Sequence, residues 1–497
     1  MTDSGYIDVN AQVGPATGRA AGAPLEHLLA ERHSHGVGLS LVRSRAAGVG
    51  DTGTGNRHLL ELCEGQPGLL PVAVLAPERS SSPEEARAIG SRVAAFWLDR
   101  DATPGRRGSL ATELLAAAAA RAGKPLFVPI DRFGEASAVG RATAGFGAPV
   151  VLVGTHYRNV VDALAAARRY PHLYLETSSM AHLGAIDTAV LAIGADRILL
   201  GTGAPLRAIQ SSLNAIALAH ISDEDRLAIL AGNAARLLGL PRPAVNLPVL
   251  RRPTRAIDVH AHLAPMPQDV PDLDPETFMA ELSRQSGTQL AIASSVEAVE
   301  ADPEAGNRRM VEACRADPRL LGYLVADPNA PDTARDHIRR WGDAPGIVGI
   351  KIGCEQSQPT ASGAIRNLFT VLADYGKPVK IHNDGAGWDS ALLRIARDHP
   401  RLPIVIAHGG LGTPSLEGAS LTETADNVYL EMCSSFADLA TVREVVRRVP
   451  PHKFMFGTDA PLLEPGFILG TYQDAGIPAD KEDAVYYANA ARLFGIG

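Results

Sequence analysis

Lysine is what this sequence has least of for its size: of 47 basic residues only six are lysine, at 124, 351, 377, 380, 453 and 481, and five of those lie in the second half. Cysteine is scarce too. Cys63, Cys314, Cys354 and Cys433 are too few and too scattered for a disulfide framework or a CxxC zinc site. Positive charge is in deficit, with a formal net charge of −8, which argues against a nucleic-acid-binding face. No stretch of about 20 apolar residues runs free of charge; the Ala-rich run 116–120 stops at Arg121. The opening MTDSGYIDVNAQ has neither the basic nor the apolar segment of a secretory signal. These absences predict a cytoplasmic protein with no nucleic-acid or membrane partner. The 46% hydrophobic and 21% charged residues are ordinary globular values that exclude wholesale disorder.

The chain repeats itself once. GYIDVNAQVGP (5–15) matches RAIDVHAHLAP (255–265), and TGNRHLLELCEGQPGLLPVAVLAP (54–77) matches AGNRRMVEACRADPRLLGYLVADP (305–328). GKPLFVPID (123–131) matches GKPVKIHND (376–384), RILLGTGAP (197–205) matches KFMFGTDAP (453–461), and GNAARLLGL (232–240) matches ANAARLFGI (488–496). The offset drifts only from 250 to 256. The Pro-rich stretch 240–255 has neither helical nor strand periodicity and reads as a linker. Two domains follow, 1–245 and 250–497. Each half alternates short apolar runs with amphipathic helical segments. The second half offers eight strand candidates, AIDVHA, QLAIASS, LLGYLVA, IVGIKI, PVKIH, PIVIAH, NVYLEM and KFMFGT. Eightfold strand–helix alternation in about 250 residues predicts a (β/α)8 TIM-like barrel, so the expected fold is α/β with two such barrels in tandem.

Reactive side chains of these barrels stand at the C-terminal ends of the strands. The first strand of the second half ends in Asp258-Val259-His260-Ala261-His262, and residues two apart on a strand share a face. His382 ends strand 5, His408 strand 6 and Asp459 strand 8. Imidazoles and a carboxylate converging on one mouth form a donor set for zinc and other first-row divalent ions. The aligned places in the first half hold Asn10, Gln12, Pro129, Gly154 and Gly203, while Trp97 and Phe127 stand where the second half has Lys351 and Lys380. Pro and Gly offer no side-chain ligand. The first barrel therefore reads as degenerate and metal-free, with His156, two residues past the vacant strand-6 place, as a loop histidine. Glu431 recurs as Glu176 and reads as architectural; Cys354 and Cys433 read as packing residues.

IDVHAH (257–262), KIH (380–382), IAHGG (406–410), GTDAP (457–461) and NAARLFG (489–495) together resemble the amidohydrolase-related branch of the amidohydrolase superfamily. The resemblance spans the second half. It implies that His260, His262, His382 and Asp459 bind one divalent ion, zinc first and manganese or another first-row ion as alternatives. It implies catalytic roles for Asp459 and His408, with Lys351 and Lys380 binding substrate; a carboxylated Lys351 bridging a second ion is the binuclear variant. It further implies a small-molecule substrate, an amide, lactone or ester hydrolysed through a water activated by the metal. Non-oxidative decarboxylation, as in aminocarboxymuconate-semialdehyde decarboxylase, is the alternative, and a non-enzymatic scaffold is the third reading. Dimers are common in the family, so the halves are expected to form an internal pseudo-dimer, in a monomeric chain or a further homodimer.

Overall fold

The computed structural model describes residues 5–15, 22–76, 83–99, 110–263, 266, 270–353, 363–383, 389–410 and 415–497. The chain divides into two compact units, Met1–Leu250 and Arg251–Gly497. Each contains one eight-stranded parallel sheet with the strands in sequence order. The first is built from β1 (Tyr6–Val13), β2 (Val37–Ser44), β3 (Leu69–Leu75), β4 (Ala95–Leu98), β5 (Leu126–Pro129), β6 (Val150–Val153), β7 (Leu173–Glu176) and β8 (Ile198–Leu199). The second is built from β9 (Ala256–Leu263), β10 (Thr288–Ser295), β11 (Leu320–Val325), β12 (Ile347–Ile352), β13 (Val379–Ile381), β14 (Ile404–Ile406), β15 (Val428–Glu431) and β16 (Phe454–Met455).

The first and last strands of each sheet meet through backbone bonds just past the last strand. Val259 N donates to Phe456 O at 3.0 Å and His262 N to Ala460 O at 2.7 Å; Val9 N donates to Leu200 O at 2.8 Å and Gln12 N to Ala204 O at 2.9 Å. Both units are thus (β/α)8 barrels. Most strands are apolar throughout because helices cover one face and lumen side chains fill the other. Ile257, Val259, Ile292, Tyr323, Val405 and Met455 form one buried cluster of the second unit, packed against Ala490 and Phe494 of the last helix. Ile7, Val9, Leu41, Val72, Val74 and Val151 do the same in the first.

The repeated Gly-Asn pair shows how sequence fixes local packing. A Cβ on Gly306 would lie 2.3 Å from Ala298 N, and one on Gly55 would lie 2.5 Å from Ala47 N. Only glycine lets the helix approach its neighbour so closely. The next residue, Asn307, accepts from Val325 N at 2.7 Å and donates to Val325 O at 2.9 Å. Asn56 does the same for Val74, both at 2.9 Å. Each Asn thereby bonds the backbone of its neighbouring strand. Losing both bonds with the strand groups still buried costs about 2–4 kcal/mol. Asn307→Ala is therefore expected to lower the urea midpoint; an unchanged midpoint would show that water replaces the side chain.

Candidate metal centre

The second barrel's mouth begins with Asp258 on β9. Its buried carboxylate accepts from His260 N at 2.9 Å, Thr458 N at 3.1 Å and Thr458 Oγ1, tying β9 to the chain beyond β16. Asp8 makes the same contacts with Asn10 N, Thr202 N and Thr202 Oγ1. Burial pushes these carboxyls up, to about 7 for Asp258 and about 6 for Asp8, against the hydrogen bonds that favour their charged forms. Asp258 thus fixes backbone rather than the histidine rings, and Asp8 does the same in the barrel that has no histidines there.

Beyond that closure, His260 and His262 both present Nε2 to Asp459 Oδ1, at 3.4 and 3.0 Å. Donor atoms of these three residues all lie within 4.8 Å of one another. Their outward nitrogens are set by partners on the inward ones. Glu431 Oε1 takes His260 Nδ1 at 2.6 Å, and Ser294 Oγ meets His262 Nδ1 at 3.1 Å. Such partners fix the ring orientation and tautomer of a metal-ligating histidine. Burial pushes His260 well below the usual imidazole range and lowers His262. Burial raises Asp459, but the His262 hydrogen bond and the neighbouring His408 and Lys351 charges outweigh it and bring it to about 2. Neutral imidazoles beside an ionised carboxylate fit a divalent ion, whose ligands must be deprotonated.

His382 stands elsewhere in the same mouth. Its Nδ1 faces His408 Nε2 at 3.2 Å, and it does not join the grouping of His260, His262 and Asp459. His408 is 9% exposed, its Nδ1 held by Cys433 O at 2.8 Å and its backbone N donating to Glu431 Oε1 at 2.9 Å. Lys351 Nζ is 3.2 Å from His260 Nε2, so this lysine faces the histidine nitrogens; burial first, then Lys380, lowers its ammonium to about 8. Lys380, expected at the substrate, is not exposed at all. Its Nζ donates to Val259 O at 2.7 Å and lies 3.5 Å from Glu431 Oε1, which uses its charge inside the barrel wall.

Glu431 and Ser294 are the functional contacts that sequence reading missed. The recurrence of Glu431 as Glu176 points correctly to backbone support: Glu176 accepts from Gly154 N at 3.2 Å and Ser178 N at 2.9 Å, Glu431 from His408 N and from Cys433 N at 2.7 Å. That recurrence conceals the extra bond to His260. Cys433, read as a packing residue, lies between two imidazoles, its Sγ 3.2 Å from His260 Nδ1 and 3.4 Å from His408 Nδ1. Cys354 lies outside the described residues.

Among the described non-glycine residues, only His408 and Asp459 have left-handed backbone, with φ of 64° and 65°. Such conformations cost about 1–3 kcal/mol and concentrate at functional sites. Their counterparts Gly154 and Gly203 keep the same geometry, φ 88° and 75°, without that penalty.

The first barrel's mouth is organised differently. Gln12 pairs in register with Arg43, where His262 pairs with Ser294. Arg43 Nη2 donates to Gln12 Oε1 at 2.7 Å, and its guanidinium carbon lies 4.2 Å from the centroid of the Trp97 ring. Asn10 Nδ2 donates to Ser178 Oγ at 3.1 Å. His156 lies in the loop after β6 and is buried there, its ring centroid 3.8 Å from that of Tyr157. Among the described residues of both barrels, no helix is long and apolar enough to cross a membrane.

The amidohydrolase family model matches residues 140–240 and 257–496, well over half of the chain. None of the curated proteins matches. Similar solved structures include the 2,6-dihydroxybenzoate decarboxylase from Rhizobium, 17% identical, covering 49% of this chain and 99% of its own, at a TM-score of 0.39. A candidate 2-pyrone-4,6-dicarboxylic acid hydrolase from Pseudomonas putida is 19% identical, with coverages of 48% and 97% and a TM-score of 0.40. The 5-carboxyvanillate decarboxylase of Novosphingobium aromaticivorans, solved with manganese, is 16% identical, with coverages of 50% and 99% and a TM-score of 0.40.

Proposed function

The chain belongs to the amidohydrolase family, and we propose that its second barrel is a metal-dependent hydrolase of an amide, lactone or ester. The observation that carries this reading is Asp459: a buried, ionised carboxylate whose Oδ1 meets the Nε2 atoms of both His260 and His262. These three residues would hold the ion, joined by His382, and zinc is the first choice for imidazole and carboxylate donors. A divalent ion there supplies Lewis acidity and a water acidic enough to ionise near neutral pH.

The protein's own groups do the rest. Asp459 accepts a proton from the attacking water and passes it to the leaving group. His408, whose Nδ1 is committed to Cys433 O and whose Nε2 lies 3.2 Å from His382 Nδ1, stands beside the reacting carbonyl and stabilises the developing oxyanion. Lys351 places an ammonium beside the ligand nitrogens and draws in a substrate carboxylate. That lysine also favours the second reading, non-oxidative decarboxylation, because a carboxylate drawn to this ring is the group a decarboxylase removes. On both readings the first barrel carries neither metal nor catalysis.

A screen of lactones, amides and carboxylated aromatics, run in 18O-labelled water, separates the two. Hydrolysis places label in the organic product; decarboxylation takes up a proton, releases carbon dioxide and leaves the organic product unlabelled. Turnover with carbon dioxide and an unlabelled organic product would replace the hydrolase reading by the second.

A further inference from the structure

We propose that having a thiol rather than a hydroxyl at position 433 is what leaves Glu431 free to hold His260 for the metal. The inference rests on the metal reading above and comes from laying one barrel on the other. Both barrels have a buried glutamate at the end of the seventh strand, and both glutamates accept from the same two backbone N–H groups. They differ in the third donor. In the first barrel, Ser178 Oγ donates to Glu176 Oε1 at 2.8 Å and itself accepts from Asn10 Nδ2 at 3.1 Å. The hydroxyl is thus inserted between the glutamate and the strand-1 side chain. In the second barrel, Cys433 occupies the place of Ser178 and His260 that of Asn10. Here the imidazole reaches the carboxylate directly, His260 Nδ1 to Glu431 Oε1 at 2.6 Å, with Sγ standing beside it at 3.2 Å.

The chemistry of the two side chains explains the difference. A hydroxyl is a good donor and a good acceptor, whereas a thiol is weak in both roles. The Cys433 thiol meets Glu431 only as such a weak donor and does not stand between the carboxylate and the imidazole, which bond directly. A serine at 433 would reproduce the Ser178 arrangement: its O–H would take Glu431 Oε1, and its lone pair would receive the His260 Nδ1 proton. His260 would exchange a carboxylate partner for a neutral hydroxyl, and with it the orientation and donor strength that a carboxylate gives a ligating imidazole.

The test is zinc affinity of the full chain, by competition with a chromophoric chelator, for wild type, Cys433→Ser, Cys433→Ala and His260→Ala. Loss of an outer partner typically weakens metal binding 10–100-fold, so Cys433→Ser is expected to bind zinc about tenfold more weakly. Cys433→Ala, which removes the side chain but leaves the glutamate–imidazole bond, is expected within about twofold of wild type. A purely structural role predicts the reverse order, because serine preserves the shape and alanine leaves a void. Melting of the apo chains confirms that both variants fold. Cys433→Ser binding as tightly as wild type, or Cys433→Ala losing as much as Cys433→Ser, would overturn the inference. Wild type binding no more zinc than His260→Ala would overturn the metal reading and this inference together.

Discussion

Turnover by His260→Ala or Asp459→Asn chains is expected to fall by about a thousandfold or more, with a far-UV circular dichroism spectrum indistinguishable from wild type. The two halves of that expectation have separate causes. Activity falls because each change removes a donor from the one grouping of imidazole and carboxylate atoms, among the described residues, that includes Asp459. The fold persists because the barrel is closed by Asp258 and Thr458 and filled by Ile257, Val259, Tyr323 and their neighbours, none of which is touched. Asparagine suits position 459 in particular, since a left-handed φ of 65° is one that Asn tolerates better than most residues. Near-wild-type turnover in either variant would show that the chemistry lies elsewhere.

Elemental analysis of the purified chain is expected to find one tightly bound divalent ion per 497 residues, and none after His260 and His262 are both replaced by alanine. Converting Asn10 and Gln12 to histidine should leave the count at one. Pro129, Gly154 and Gly203 would still supply no ligand. Arg43 would also remain in register with position 12, stacked on Trp97, and a guanidinium there repels a dication. A second ion that survives loss of His260 and His262 would sink the reading of the first barrel as metal-free.

Much of this architecture is legible in the sequence because a barrel is a local code. Strands such as VVLV and IVGIKI are short and apolar, their helices are amphipathic, and the duplication writes each element twice. The positions of His260, His262 and Asp459 follow from strand ends alone, because a side chain at the end of a parallel barrel strand has only the mouth to enter. Sequence serves less well where a role depends on which partner a side chain meets across the barrel. Lys380 stands on a lumen-facing strand like Lys351, yet one turns to Val259 O and the other to His260 Nε2. Glu431 looks architectural because its twin is architectural. His382 ends its strand at the expected place, but its ring orientation is decided by His408, which is 26 residues away.

The left-handed backbone at the ends of the sixth and eighth strands gives the relationship between the barrels a direction. Exchanging a histidine or aspartate at such a place for glycine runs downhill in conformational energy. The return does not. A Cβ at position 154 would lie 2.8 Å from Ile130 O, and one at 203 would lie 2.9 Å from Arg207 Cδ, so the surroundings have closed over the space the side chains need. Descent from a ligand-bearing mouth to a glycine-lined one is therefore a ratchet: each step eases the local backbone, and neighbouring atoms then move into the gap. A designer wishing to arm the first barrel would have to reopen the wall at Ile130 and Arg207 before adding any ligand.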